Sequence, residues 1–182
     1  IKEANYNGIE TGETQRQFYR FKNPANAAYP KMIELFSRTP DLPLLPDAHL
    51  TPVHVADDIS SLSAILLNDE YYEFLLNGRR IIDGLSILDE KYLIPFKAKA
   101  WCELTARRAE GEEGNSRHIR KHYRDVYHLL MLLPPKERVK LPAQLKSDLR
   151  LFIAGIRKND FVSEDIDNNL LCNRLEEIFL SI

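Results

Sequence analysis

LIPFKAKAWCELTARRAEGEEGNSRHIRKHYRDVYHLLMLL, residues 93–133, is the stretch on which the reading of the chain turns. Its first part places Leu93, Ile94, Phe96, Ala100, Trp101 and Leu104 on one apolar stripe at helical period. A step of about 100° per residue puts Lys97 near the middle of that stripe, where an ammonium is costly unless it meets a partner. The second part has its own stripe, Ile119, Tyr123, Val126, Leu130 and Leu133. His118, His122 and Asp125 follow one another on its flank at spacings of four and three, with Lys121 beside them. Gly111, Gly114 and Asn115 mark a turn between the two helices, and Ser116 is a suitable N-cap.

Working outward, Asp83-Gly84 predicts a tight turn between two short strands, 79–83 and 85–88. Before them, Ile59, Leu62, Ile65, Leu66, Tyr72, Phe74, Leu75 and Leu76 predict a helix from Asp58 that stops at Gly78. Further upstream, 18–21 reads as a short strand, 23–30 as a loop and 31–37 (KMIELFS) as a strand. The proline-rich 39–48 reads as a second loop, and 51–55 as an edge strand because of Pro52. Downstream, Pro134-Pro135 ends the second helix. A further helix is expected from Pro142 to about Arg157, and a last one from near Ser163, with Glu164 and Asp165 at its positive end. The core face of that last helix is Ile166, Leu170, Leu171, Leu175, Ile178 and Phe179. Strands first and helices after predict an α+β fold: a small mixed β-sheet with helices, followed by an α-helical C-terminal half. The expected division is 1–92 for the α+β domain and 93–182 for a helical domain packed on it.

At 182 residues and 44% hydrophobic content, the chain can bury a substantial core. A net charge of −2 gives no global nucleic-acid signature. Locally the balance differs. Between 97 and 125 the cations are 97, 99, 107, 108, 117, 120, 121 and 124, against the acids 103, 110, 112, 113 and 125. A basic patch for an anionic substrate fits that distribution, and so does a solvated helix pair. Cys102 and Cys172 show neither disulfide nor metal spacing, which predicts reduced thiols in a cytoplasmic protein. No apolar run is long enough to cross a bilayer and no signal peptide is evident, so no membrane association is expected. The start at Ile1, without Met, points to a missing upstream portion.

Several side chains are candidates for chemistry. Glu34 is a lone carboxylate in a hydrophobic run. Such an acid must be paired, bind a metal, or point to solvent. Magnesium sites that act on phosphates use one to three carboxylates plus substrate oxygens. The alternative partners of Glu34 are Lys31 and Arg38. Lys97 is suited to contact a triphosphate, to pair with Asp125 or Glu34, or to snorkel from the first turn of its helix. Asp125 is suited to orient Lys97 or to form an i, i+4 pair with Lys121. His118, His122 and Asp125 have metal-ligand spacing but lack the Glu of H-E-x-x-H. Asp165-Ile166-Asp167 matches a two-metal D-x-D by letter only, at a helix start. No G-x-S-x-G, Walker A or G-x-G-x-x-G occurs, leaving serine hydrolase, P-loop and Rossmann readings without support.

YPKMIELFSR, SSLSAILL, LIPFKAKAW and RKHYRDVYHLL, in that order, resemble the nucleotidyltransferase-like proteins of the AbiEii/AbiGii toxin type over roughly residues 18–133. The resemblance implies a nucleotidyltransferase-like fold with a helical domain behind it. It implies that Lys31-x-x-Glu34 matches the family's Lys-x-x-Glu, placing Glu34 beside the metal. It further implies that Lys97, opening Lys-x-x-Ala, contacts phosphate or nucleotide, with Asp125 in the Arg-Asp-x-Tyr element. Lys31, Lys121 and Arg124 then become substrate-binding candidates, and Mg2+ is expected for the intact enzyme. The partners implied are an NTP and a nucleic acid, or a cognate antitoxin protein. His128 stands where the family has a second acid, and no Gly-Ser with Asp-x-Asp precedes Glu34. This polypeptide alone is therefore not expected to transfer nucleotides. The other classes to weigh are a non-catalytic nucleic-acid- or protein-binding module and a metal-binding helical protein built on His118 and His122.

Overall fold

The computed structural model describes residues 5, 7–11, 15–34, 68–111, 116–158 and 166–181. The chain divides into two compact units, Ile1–Pro52 and Val53–Ile182. The division thus falls between 52 and 53, where the sequence pattern placed it after 92.

In the first unit, β1 (Asn7–Thr11), β2 (Gln15–Lys22) and β3 (Met32–Glu34) form an antiparallel sheet in the order β1-β2-β3. The strand expected at 18–21 lies within β2. The loop expected at 23–30 is closed by Asn23 N–H donating to the Lys31 carbonyl at 3.0 Å. Asn23 takes a φ of +51°, a conformation that Asn tolerates better than most residues. The strand expected at 31–37 is described only as far as Glu34. The readings at 35–37, 39–48 and 51–55 lie outside the described residues.

The second unit is mainly helical. Its first described helix, α1 (Asp69–Gly78), is capped by Asn68, whose side chain accepts from Tyr71 N–H at 3.2 Å. That cap marks a helix start, so α1 does not continue the periodicity read from Asp58; residues 58–67 lie outside the described residues. Strands β4 (Arg79–Ile82) and β5 (Leu85–Leu88) form the expected hairpin. Asp83 and Gly84 both have positive φ, +50° and +77°, the signature of the type I′ turn that suits strand twist.

Helix α2 (Glu90–Ala109) starts three residues ahead of the first residue of its expected stripe, because Asp89 caps it by accepting from Lys91 N–H. Helix α3 (Ser116–Leu132) ends just before the two prolines, as expected. Helix α4 (Ala143–Lys158) follows Pro142. Helix α5 (Asn168–Phe179) begins later than Ser163. Asp167 caps it, taking N–H groups from Asn169 and Leu170 at 2.8 and 3.0 Å. The D-x-D letters therefore end in a cap. Leu170 is 47% exposed, while the rest of the expected α5 face is buried. Among the described residues, then, antiparallel strands and helices coexist and helices predominate, with a helical C-terminal half.

The expected stripes of α2 and α3 form the core, except that Leu93 is only half-buried. Tyr71 and Phe74 of α1 are equally buried, and Tyr71 meets Phe96 edge-on at 5.2 Å between ring centroids. That contact is why α1 belongs with the helices rather than with the upstream sheet. Helix α4 completes this core through Trp101, which meets Phe152 edge-on at 5.1 Å. Gly155 of α4 lies under the same indole: a Cβ there would stand 2.7 Å from the ring. The glycine near the end of α4 is thus required by close approach and not by backbone conformation. Gly155→Ala would gain about 1 kcal/mol of helix propensity, against about 1–3 kcal/mol for overpacking a buried ring. We expect a net loss, seen as a melting temperature lowered by a few degrees. A raised melting temperature would mean that Trp101 can move aside.

Candidate functional site

Helices α2 and α3 lie side by side, with Lys97 and Asp125 facing each other across their seam. Lys97 Nζ is 2.8 Å from Asp125 Oδ2, and the two side chains keep 24% and 28% of their exposure. This resolves the puzzle of a lysine inside an apolar stripe. Its stem runs beside buried neighbours, Phe96 and Ala98, and its ammonium reaches a carboxylate on the next helix. The i, i+4 alternative is not what holds this oxygen of Asp125. A partly exposed ion pair contributes only up to about 1 kcal/mol to stability. Its main consequence is positional: it fixes an ammonium at the edge of the core, still within reach of solvent.

His122 lies one turn before Asp125 on α3. It is half-buried, and its Nδ1 is buried without a hydrogen-bond partner. Burial pushes this imidazole down to about 4; the Lys97 charge acts in the same direction, Asp125 opposes it, and Lys121 and His118 add smaller repulsions. Lys121, Arg124 and His118 are exposed. Lys121 and Arg124, near Asp125 in the sequence of the same helix, add positive charge there, which favours an anion over a cation.

Glu34 and Lys31 belong to the other unit. Glu34 pairs with Arg20 in the register of β3 against β2, its side chain lies outside the described residues, and Lys31 is exposed. The convergence expected for Glu34, Lys97 and Asp125 is therefore described only for the last two. Among the described residues, no group of three or more His, Cys, Asp or Glu could hold a metal ion. His118, His122 and Asp125 do not form a zinc or iron centre despite their spacing, since Asp125 is directed at Lys97.

One buried polar cluster escaped the sequence reading. Asp148 of α4 is only 4% exposed. It accepts from Tyr71 Oη at 3.0 Å, Gln144 Nε2 at 3.2 Å and Lys99 Nζ at 3.4 Å. The signal was available, because Asp148 interrupts the Leu145–Leu149–Phe152 face of its helix. Burial and then the Asp148 charge push the Cys102 thiol up to about 12, which disfavours its thiolate. Both cysteines are free thiols, and no described helix is long and apolar enough to cross a membrane. Compared with protein-family models, curated proteins and solved structures, the chain finds no match.

The neutral state of His122 has a consequence for acid stability. The unfolded ring takes up its proton near the ordinary value of 6.5, the folded ring only near 4. Stability is thus fully present above about pH 6.5 and falls as the pH drops towards 4, because the unfolded state binds the extra proton. Allowing for the ring's partial solvation, the loss is on the order of 1–2 kcal/mol. Urea unfolding at pH 7 and pH 4.5 should show a smaller drop in His122→Gln than in the native chain. Equal drops would assign the acid sensitivity to other groups.

Proposed function

We propose that this chain is part of a nucleotidyltransferase-fold protein of the AbiEii/AbiGii toxin type, and that its α2–α3 seam holds the phosphate groups of a nucleotide. The observation that carries the reading is the Lys97–Asp125 pair at 2.8 Å. An ammonium held by a carboxylate at the rim of a core is oriented before the ligand arrives. Little ordering entropy is then lost when a phosphate takes its place beside the pair. Lys121 and Arg124, on the same helix as Asp125 and exposed, add charge around that position. The residue types and order also match the family pattern quoted above: Lys97-x-x-Ala100 on one helix and Arg124-Asp125-x-Tyr127 on the next.

In this reading Lys97 neutralises phosphate charge, and Asp125 keeps the ammonium in place and sets its direction. Lys121 and Arg124 supply the surrounding positive potential. In this reading the nucleotidyl group passes from an NTP to a hydroxyl on a nucleic acid or protein, with pyrophosphate leaving and the hydroxyl proton lost to solvent, as in the toxin of a toxin–antitoxin pair. In the family pattern Lys31 and Glu34 of the first unit would be a substrate-binding residue and a magnesium ligand, roles that the resemblance alone implies. A second reading, a non-catalytic module that holds a nucleic acid or an antitoxin-like protein, is favoured by the run of exposed cations Arg117, Arg120, Lys121 and Arg124 on α3.

Calorimetry with each NTP and magnesium separates the two. The nucleotide reading expects saturable binding that weakens about tenfold or more in Lys97→Ala, since a hydrogen bond to a charged group contributes about 1.5–3 kcal/mol. Binding unaltered by Lys97→Ala would remove the seam from the reading. No NTP binding, with retention of an oligonucleotide, would favour the binding module.

A further inference from the structure

Among the groups around the seam, His122 has no role in the reading above, and it carries the one buried nitrogen there that makes no hydrogen bond. We propose that His122 is a proton-coupled phosphate ligand: an anion seated at Lys97 is accompanied by uptake of one proton from solvent onto the His122 imidazole, which then donates to a phosphate oxygen. This rests on the nucleotide reading of the same site and extends it to a residue that reading leaves unused.

The geometry supports it from three sides. First, Nδ1 is shielded from water and unpartnered, so the ring pays a desolvation cost that no hydrogen bond returns. In either neutral tautomer that nitrogen is idle, as an unused acceptor or an unused donor. Second, the charges facing the ring are unbalanced. Lys97 approaches from α2, and His118 and Lys121 share its own helix; the single carboxylate opposing them is Asp125. Helix α5, the other helix against α3, contributes an uncharged contact, Asn168 Oδ1 accepting from Tyr123 Oη at 2.5 Å. The lone carboxylate is itself engaged, with Oδ2 on the Lys97 ammonium. Third, the balance changes sign when a phosphate arrives. Two or more negative charges beside Lys97 offset the repulsion that keeps the ring neutral and supply an acceptor within the same low-dielectric edge. The imidazolium has a second ring N–H to donate that the neutral ring lacks.

A metal role for His122 is disfavoured by the same surroundings. A ring facing a lysine, with its nearest carboxylate taken, is a poor cation ligand and a good anion-responsive base.

Proton linkage tests this directly. Magnesium–NTP binding would be measured at pH 6 in two buffers of different ionisation enthalpy, for the native chain and for His122→Gln. Any proton released by the nucleotide is common to both and cancels in the difference. The expected result is that the native chain takes up about half a proton or more in excess of the variant. Because replacement of a half-buried ring can disturb folding, a second measurement uses the native chain alone. The His122 ring resonances, followed by NMR against pH with and without sulfate, should titrate about two units higher with the anion present. Sulfate keeps its charge across this range. NTP binding with no excess proton uptake and an unmoved ring titration would overturn the role of His122 while leaving the nucleotide reading intact. Failure of the native chain to bind NTP would overturn both.

Discussion

One buried carboxylate ties the second unit together. Asp148 receives a phenol from α1, an amide from its own helix and an ammonium from α2. A charge at 4% exposure is tolerable only when its lone pairs are filled, and these donors fill them. The network is directional where the surrounding apolar contacts are not. Leucines and phenylalanines can slide past each other with small losses, but Tyr71 and Lys99 reach Asp148 from one relative placement of α1, α2 and α4. The aromatic contacts follow from that placement: Tyr71 against Phe96 and Trp101 against Phe152, with Gly155 giving the indole its space.

Helix α2 then serves two masters. Its Lys99 and Trp101 look towards α4, and its Lys97 looks towards α3. Lysines two residues apart in a helix point about 200° apart, so the same helix carries one ammonium to a buried structural acid and another to a half-exposed one. Only the second retains contact with water on both partners. That difference in burial, and not a difference in residue type, separates a structural ion pair from a candidate ligand site in this fold.

How much of this was legible depended on range. The α3 stripe, the Asp83-Gly84 turn and the Pro134-Pro135 stop are local signals, and each appears where its residues put it. The Lys97–Asp125 contact was one of the alternatives open to Lys97, because a short connection brings neighbouring helices together and both residues lie near their seams. The start of α5 was misplaced because Ser163 and Asp167 are both competent caps, and local chemistry does not rank them. Asp148 could be seen interrupting an apolar face, but its principal partner Tyr71 lies 77 residues away, and nothing local names that partner. The surroundings of His122 were not legible for a similar reason. Its spacing from His118 and Asp125 is a property of one helix, whereas its burial and its neighbour Lys97 come from another.

The half-buried pair also sets what an anion must do to occupy the seam. Asp125 already neutralises Lys97, so an incoming phosphate does not meet a bare ammonium. It must bring enough charge to share the lysine with a carboxylate 2.8 Å away, or displace that carboxylate. A singly charged anion gains little from such an exchange, since attraction to the ammonium is offset by repulsion from Asp125 at similar range. In the proposed reading a polyphosphate, whose charge is spread over several oxygens, would outweigh the single acid where a monoanion would not. The pair is therefore a threshold as well as a holder. In the proposed reading it keeps the ammonium fixed in the free chain, disfavours singly charged anions and yields to ligands that carry two or more charges.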